Sequence, residues 1–454
     1  MFTVSSQATH YSAMVPLGWA LQAAGHEVRV LCTPDQTAAV GRTGLLPVPV
    51  LDGMKVITRL RLQAHREAVE GKRPYPWPPP HPLTGEPLRD LAEFDAAGFQ
   101  NDIAPVLAER AARGFDAAVA FARAWRPDLV LHDPASLEGL LAARVTGVPA
   151  ALCLWGPVGT REPDHMRIIP TDHSGSFPRH GLAEFDPEMI ERVLDPCPPS
   201  LAPPTTAERV RFGYVPFNGT APVPSWAIEP PAPGRPRVCV TWSTALTATA
   251  GPGSYLLPAI LRAVDGLGCE VIVLATAADA AALGPVPDGV RVAENVPLRA
   301  VLPGASAVIH HGGSGSAMTA LWAGVPQLTT TFASEQAATG GRVAAAGAGR
   351  HLPGHEAGPD ALRAALHDLL TDTAYRDAAA GLRKEMLAQP TPAQLVGALE
   401  NIAARGAGTG GGAGGDRADE AGDRAAEAAP GARQARTGGA PPPGTVLSRR
   451  SHSG

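Results

Sequence analysis

Lysine is nearly absent from the chain, occurring only at Lys55, Lys72 and Lys384. Arginine carries almost all the positive charge, and 38 basic against 43 acidic residues leave a formal charge of −5. That charge is spread along the chain. A nucleic-acid partner needs a basic face, so that class is set aside. No apolar run of about 18 residues occurs, and no membrane span is expected. The N-terminus turns polar early and lacks a basic segment leading into an apolar one, so no secretory signal is expected. Cysteine is sparse too: Cys32, Cys153, Cys197, Cys239 and Cys269 stand at no metal-like spacing. Their scatter and odd count fit a reduced, cytoplasmic protein with buried thiols.

Apolar residues are plentiful, at 44% of the chain. They fall into two α/β stretches. The first opens with the strand Phe2-Thr3-Val4, a helix over 15–24 closed by Gly25 in a left-handed cap, and the strand Glu27–Leu31. It resumes with a helix around 117–125, the strand Leu129–Asp133, a helix over 137–146 and the strand Ala150–Leu154. Strand–helix–strand units of this length imply right-handed parallel crossovers. Residues 71–88 and 156–224 are proline-rich and weakly periodic, and read as long loops framing an acceptor pocket. A third proline-rich stretch, 222–236, reads as a linker.

The pattern then restarts. Strands are expected at 238–242, 270–275, 290–293, 307–310 and 327–331, with helices at 255–267 and 316–323. The expected organisation is a first Rossmann-like domain over 1–221, the linker, and a second over 237–404, facing each other across a cleft. Residues 405–454 are rich in Gly, Ala, Arg, Asp and Pro, and are expected to be a disordered tail.

One turn carries chemistry. The strand ending at His310 runs into His311-Gly312-Gly313-Ser314-Gly315-Ser316 and a helix. Glycines let a ligand approach the backbone. The helix start offers unpaired N–H groups to an anion. Its spacing fits neither the P-loop nor the dinucleotide fingerprint. Read alone, the turn suits a phosphate cradle and a plain strand-to-helix corner equally well.

The run HHGGSGSAMTALWAGVPQLTTTFASEQAATGGRVAAAGAG resembles the C-terminal signature of family 1 GT-B glycosyltransferases, in the antibiotic and macrolide branch of actinomycetes. THYSAMVPLGWALQAAGHEVRV, RPDLVLHDP, YVPFNG and the segment from Val296 to Pro303 resemble the same branch. The resemblance spans roughly residues 1–400. It implies a GT-B fold and inverting sugar transfer to a natural-product hydroxyl. It implies His10 as general base, in Thr9-His10-Tyr11, with Asp133 of His132-Asp133-Pro134 orienting it. On the residues alone, His10 could equally be a surface or capping side chain, and Asp133 a helix cap.

The implied donor is a dTDP-deoxysugar. Its diphosphate would lie against His311, Gly312, Gly313, Ser314, Gly315 and Ser316, helped by Ser243 and Thr244. Glu335 and Gln336 would meet the sugar hydroxyls, with Glu where the family commonly has Asp. The Val296 backbone would meet the base, because Asn295 stands where an aromatic is usual. Neither a metal nor another cofactor is expected. His351 and His355 are separated by Pro353 and Gly354, which break helical register, and lack a third ligand. Expected partners are the donor and a hydrophobic natural-product acceptor. A P450-like auxiliary protein without haem function and a second copy of the chain are further partner expectations. The competing readings are another GT-B enzyme, such as a UDP-sugar epimerase or a lipid-linked sugar transferase, and a non-catalytic auxiliary subunit.

Overall fold

Short aliphatic runs make the strands, and alternate side chains go to opposite layers. The computed structural model describes residues 1–242 and 244–409. The first domain holds β1 (Phe2–Thr3), β2 (Arg29–Leu31), β3 (Leu46–Val48), β4 (Val130–His132), β5 (Ala150–Cys153), β6 (Arg192–Asp195) and β7 (Glu208–Arg211). They form one parallel seven-stranded sheet of order β3-β2-β1-β4-β5-β6-β7. The second domain holds β8 (Arg237–Thr241), β9 (Glu270–Ala275), β10 (Val290–Glu294), β11 (Ala307–His310), β12 (Gln327–Thr331) and β13 (Gly349–Pro353). Their order is β10-β9-β8-β11-β12-β13, again all parallel.

Both faces of each sheet are buried, as parallel sheets require. On β8, Val238 and Val240 enter one core layer while Cys239 enters the other. On β9, Val271 and Val273 oppose Ile272 and Leu274 in the same way. In the first sheet, Leu31, Val130 and Leu152 face one layer, and Val30, Leu131 and Ala151 face the other. Each such side chain contributes about 1.5–3 kcal/mol when fully buried. The helix Val15–Ala23 begins with Pro16 in its first turn and ends before Gly25, whose φ is 94°.

The described residues all fall in one compact unit, and several segments tie its two sheets together. A shared apolar cluster joins Ala13, Cys197, Leu201 and Tyr214 to Met318, Leu321, Val343 and Met386. The helix Pro392–Thr409 follows the second domain in sequence, yet Leu395, Val396, Leu399 and Ile402 pack with Leu17 and Leu21 of the first.

The proline-rich stretch 156–224 departs from the loop reading in part. Residues 156–224 contain β6 and β7, joined by Arg192–Glu208 and Arg209–Asp195 ion pairs. Their four-residue length and flanking prolines hid them. Residues 71–88 carry no helix or strand, and the stretch at 73–77 crosses to the second domain as a strap. Trp77 Nε1 donates to the Ala250 carbonyl at 2.9 Å, and Tyr75 stacks on Phe332 with centroids 5.3 Å apart. Its aromatic rings are used to fill the second domain's surface, so they pack there instead of lining a chamber. Within 222–236, Ser225–Ile228 forms a short turn whose Ala227 is buried in the second domain's core.

The tail reading from residue 410 onward lies outside the described residues, as does Ser243. No helix among the described residues is long and apolar enough to cross a membrane.

The helix Ser334–Ala345 is gripped by a first-domain loop. Ser334 Oγ donates to the His165 carbonyl, and Arg342 donates to the Pro157 carbonyl. Arg342 also forms a fork with Glu162, at 2.8 and 2.9 Å. The Glu162 side chain is 2% exposed. Arg342→Ala should therefore lower the free energy of unfolding by about 3 kcal/mol, because Glu162 keeps a buried charge and loses its partner. Urea denaturation at neutral pH measures it, and a loss below about 0.5 kcal/mol would mean the fork behaves as an exposed pair.

Candidate active site

Each sheet reverses its strand order at one point: β1/β4 in the first, β8/β11 in the second. Neighbouring crossovers leave on opposite faces there, and a crevice opens at the carboxyl ends of the strands. Residues after β1 and β4 line the first crevice. His10 lies on the short helix Ala8–Tyr11, and Asp133 directly follows β4.

The two side chains are linked through Ser5, not in direct contact. Ser5 Oγ is 3.3 Å from His10 Nδ1. The Ser5 backbone N–H donates to Asp133 Oδ2 at 2.7 Å, and Ala135 N–H donates to Oδ1 at 2.7 Å. Asp133 is fully buried, and that burial raises its pKa to about 6 against the Ser5 and Ala135 bonds. Burial also lowers His10 to about 3, with the Arg59 guanidinium pushing the same way. Glu138, which accepts from Ser136 Oγ at 2.8 Å, is raised by burial to about 7. His10 stacks on Trp155 with centroids 4.0 Å apart and planes at 29°.

Beside this group the first domain holds a chamber of about 1200 Å³. Phe94, Phe99, Phe115, Leu62, Leu107 and Leu137 line it, and Ser5, Arg59 and Glu138 reach its wall. Residues 71–88 do not line it, whereas Pro170–Ser174 do.

The second crevice holds the glycine-rich turn. The helix after it begins at Ser314, two residues earlier than the sequence suggests. Its first turn leaves N–H groups unpaired. The two histidines have separate jobs. Nε2 of His310 lies 2.9 Å from Gln327 Oε1, and Nδ1 accepts the Gly312 N–H at 3.1 Å, which makes His310 a fully buried strut for the turn. His311 faces the edge of Trp242, with centroids 6.2 Å apart. Burial and the neighbouring His310 lower its pKa to about 3, so it is neutral at pH 7.

Gly312 has φ 83°, and a Cβ there would meet Thr331 Cγ2 at 2.7 Å. A Cβ on Gly313 would stand 2.5 Å from His311 Nε2, whereas one on Gly315 meets nothing within 4 Å. Ser314 Oγ donates to Glu335 Oε1 at 3.4 Å, and burial raises the Glu335 pKa. Gln336 Oε1 accepts the Phe332 N–H at 3.1 Å. Thr244 opens the helix Thr244–Ala250. Val296 is partly buried against the second domain's core. Asn295 has φ 56°, a left-handed conformation in which Asn is enriched, which explains an amide at that position on backbone grounds. His351 Nε2 is 2.8 Å from Thr331 Oγ1, so it is tied to β12.

Two family models match the chain: the N-terminal domain of the erythromycin biosynthesis protein CIII-like family over residues 19–243, and its C-terminal domain over 258–402. The chain belongs to this family. It is 36% identical to the 10-deoxymethynolide desosaminyltransferase of Streptomyces venezuelae, over 89% of this chain and 97% of that one. It is 37% identical to the aklavinone 7-beta-L-rhodosaminyltransferase of Streptomyces galilaeus, over 87% and 94%. Among solved structures, a spinosyn rhamnosyltransferase complexed with thymidine diphosphate is 31% identical, with TM-score 0.68, over 88% and 99%. The same enzyme complexed with spinosyn aglycone gives TM-score 0.69 at 30% identity, over 88% and 100%. The chain is thus a GT-B glycosyltransferase of antibiotic biosynthesis.

Several residues at this site escaped the sequence reading: Ser5, Arg59, Glu138 and Trp155. Only Ser5 and Trp155 had a signal, namely their place just beyond strand ends, where ligands bind in open α/β sheets.

The two glycines of the turn make opposite predictions. Gly312→Ala should destabilise the protein by about 1–3 kcal/mol through left-handed strain and the clash with Thr331. Gly315→Ala sits in open space inside a helix and should leave the melting temperature equal or higher. Thermal melts separate them, and equal melting temperatures for both variants would contradict the geometry.

Proposed function

We propose that the protein moves a deoxysugar from a dTDP-sugar to a hydroxyl of a hydrophobic polyketide-type aglycone, with inversion at the anomeric carbon. The observation that carries this reading is the pairing of two crevices: a base-and-carboxylate group beside a large apolar chamber, facing a glycine-rich helix start. The names of the relatives support the substrate classes, since they act on macrolide or anthracycline aglycones. The relative complexed with thymidine diphosphate supports the nucleotide.

In this reading His10 takes the proton of the acceptor hydroxyl while its oxygen attacks the anomeric carbon. The departing diphosphate is met by the first N–H groups of helix 314–323, by Ser316 and by His311. Glu335 and Gln336 meet sugar hydroxyls, and Ser243, Thr244 and Val296 complete the nucleotide's surroundings. The chamber takes the aglycone, whose apolar body suits its phenylalanine and leucine walls. The five free, buried cysteines support a reducing, cytoplasmic location.

Burial makes His10 a neutral acceptor of the proton, and it makes the resulting imidazolium costly. Asp133 offsets that cost through Ser5, but only as a carboxylate. Its pKa is raised above the ordinary carboxylate value, so protonation disables it at a higher pH than usual. kcat/KM should therefore fall as pH drops below about 6. His10 is not the source of that limb, because it stays neutral down to about 3. Asp133→Asn should lower the rate and remove the limb, and His10→Ala should cost roughly 10³-fold in kcat. Release of dTDP or UDP from the two sugar nucleotides, followed across pH with an aglycone, tests all of this. Near-normal turnover by His10→Ala would end the base assignment.

A further inference from the structure

We infer that Trp155 is a positioning residue for the proton transfer: its indole face fixes the plane of the His10 ring and stabilises the imidazolium formed there. The inference rests on the reading of His10 as the base.

Three observations carry it. The first is contact geometry. Trp155 follows β5 by two residues, is 4% exposed, and stacks on His10 at 4.0 Å. Ser5 Oγ holds the imidazole at one edge, 3.3 Å from Nδ1, and the indole holds it on one face. Edge and face together leave the ring little freedom to tilt.

The second is charge. When His10 gains a proton, Arg59 opposes it from the helix Val56–Val69. Asp133, after β4, favours it through Ser5. Glu138, on the helix Glu138–Thr146, stands beside Asp133 and Arg59 and gains a proton near neutral pH. The faces of the imidazole have no carboxylate against them among the described residues. A tryptophan face is the strongest neutral π partner for a cation among the side chains.

The third is the cost accepted for having an indole here. Nε1 of Trp155 is buried with no hydrogen-bond partner among the described residues. Buried Trp N–H groups usually find one. A position that needed only apolar volume would take Phe or Leu without an unpaired donor. What the indole offers beyond volume is its electron-rich face. The following residue strengthens the case. A Cβ on Gly156 would stand 2.7 Å from Ser314 Cβ. The dipeptide thus touches the base with one residue and the donor turn with the next.

The test is site-specific replacement of Trp155 in the full chain by mono-, di- and trifluorotryptophan, which drain the π face while nearly preserving shape. log(kcat/KM) should fall stepwise, reaching about tenfold at trifluorination. The dissociation constant for dTDP alone should stay constant, which also shows that each variant is folded. Trp155→Phe should keep part of the effect and Trp155→Leu less. A flat fluorination series with His10→Ala inactive overturns this inference and leaves the base assignment standing. Normal turnover by His10→Ala overturns the base assignment itself.

Discussion

Gly156 lies against Ser314, with no room for a methyl group between them. That contact joins the loop after β5 to the first residue of helix 314–323, and so joins the edges of two separate sheets. Its consequences run both ways along the chain. One residue back, Trp155 covers the His10 ring. Further on, the same loop reaches Arg342 through Pro157 and Glu162, and Ser334 through His165. The helix bearing Glu335 and Gln336 is held at both ends by the domain that holds the base. A glycosyl transfer needs acceptor oxygen, base and anomeric carbon aligned within fractions of an ångström. Here one loop supplies several of the contacts, through the close approach at Gly156, the Glu162 carboxylate that forks with Arg342, and the carbonyls of Pro157 and His165.

Burial sets the electrostatics. His10 and His311 are both lowered to about 3, chiefly by desolvation. In the proposed mechanism a neutral His311 donates a hydrogen bond to the diphosphate without needing a counter-charge. His10 in that mechanism must form the imidazolium that burial disfavours, and the buried Asp133, the intervening Ser5 and the Trp155 face would offset that cost together. Arg59 works against them from the wall of the chamber.

The sheets and the turn were legible in the sequence because their signals are local. Aliphatic runs such as Val238–Val240 and Ala307–Ile309 have no other use, and the glycines of 312–315 announce a tight turn. The strands β6 and β7 were not legible: four residues each, flanked by prolines, they depend on cross-strand ion pairs that only the fold assembles. The proline-aromatic stretch at 73–77 is legible as a loop, but nothing local says which domain Tyr75 and Trp77 will cover. Ser5 was missed for a related reason. A serine near a strand end is common, and only three-dimensional packing sets it between His10 and Asp133.

The relay through Ser5 also explains why a serine suffices where a direct carboxylate–imidazole contact might be expected. In the proposed mechanism, a carboxylate touching His10 would stabilise the imidazolium before the reaction as well as after it. Set one residue away and fully buried, Asp133 stabilises the imidazolium less, and His10 starts each cycle neutral. The carboxylate then acts mainly when charge forms. Its own raised pKa marks the lower bound of the pH range in which it can do so. In that mechanism the separation of Asp133 from His10 is a compromise between keeping the base free and supporting it once it has reacted, and Ser5 sets it by holding Asp133 with its backbone N–H and the His10 ring with its hydroxyl.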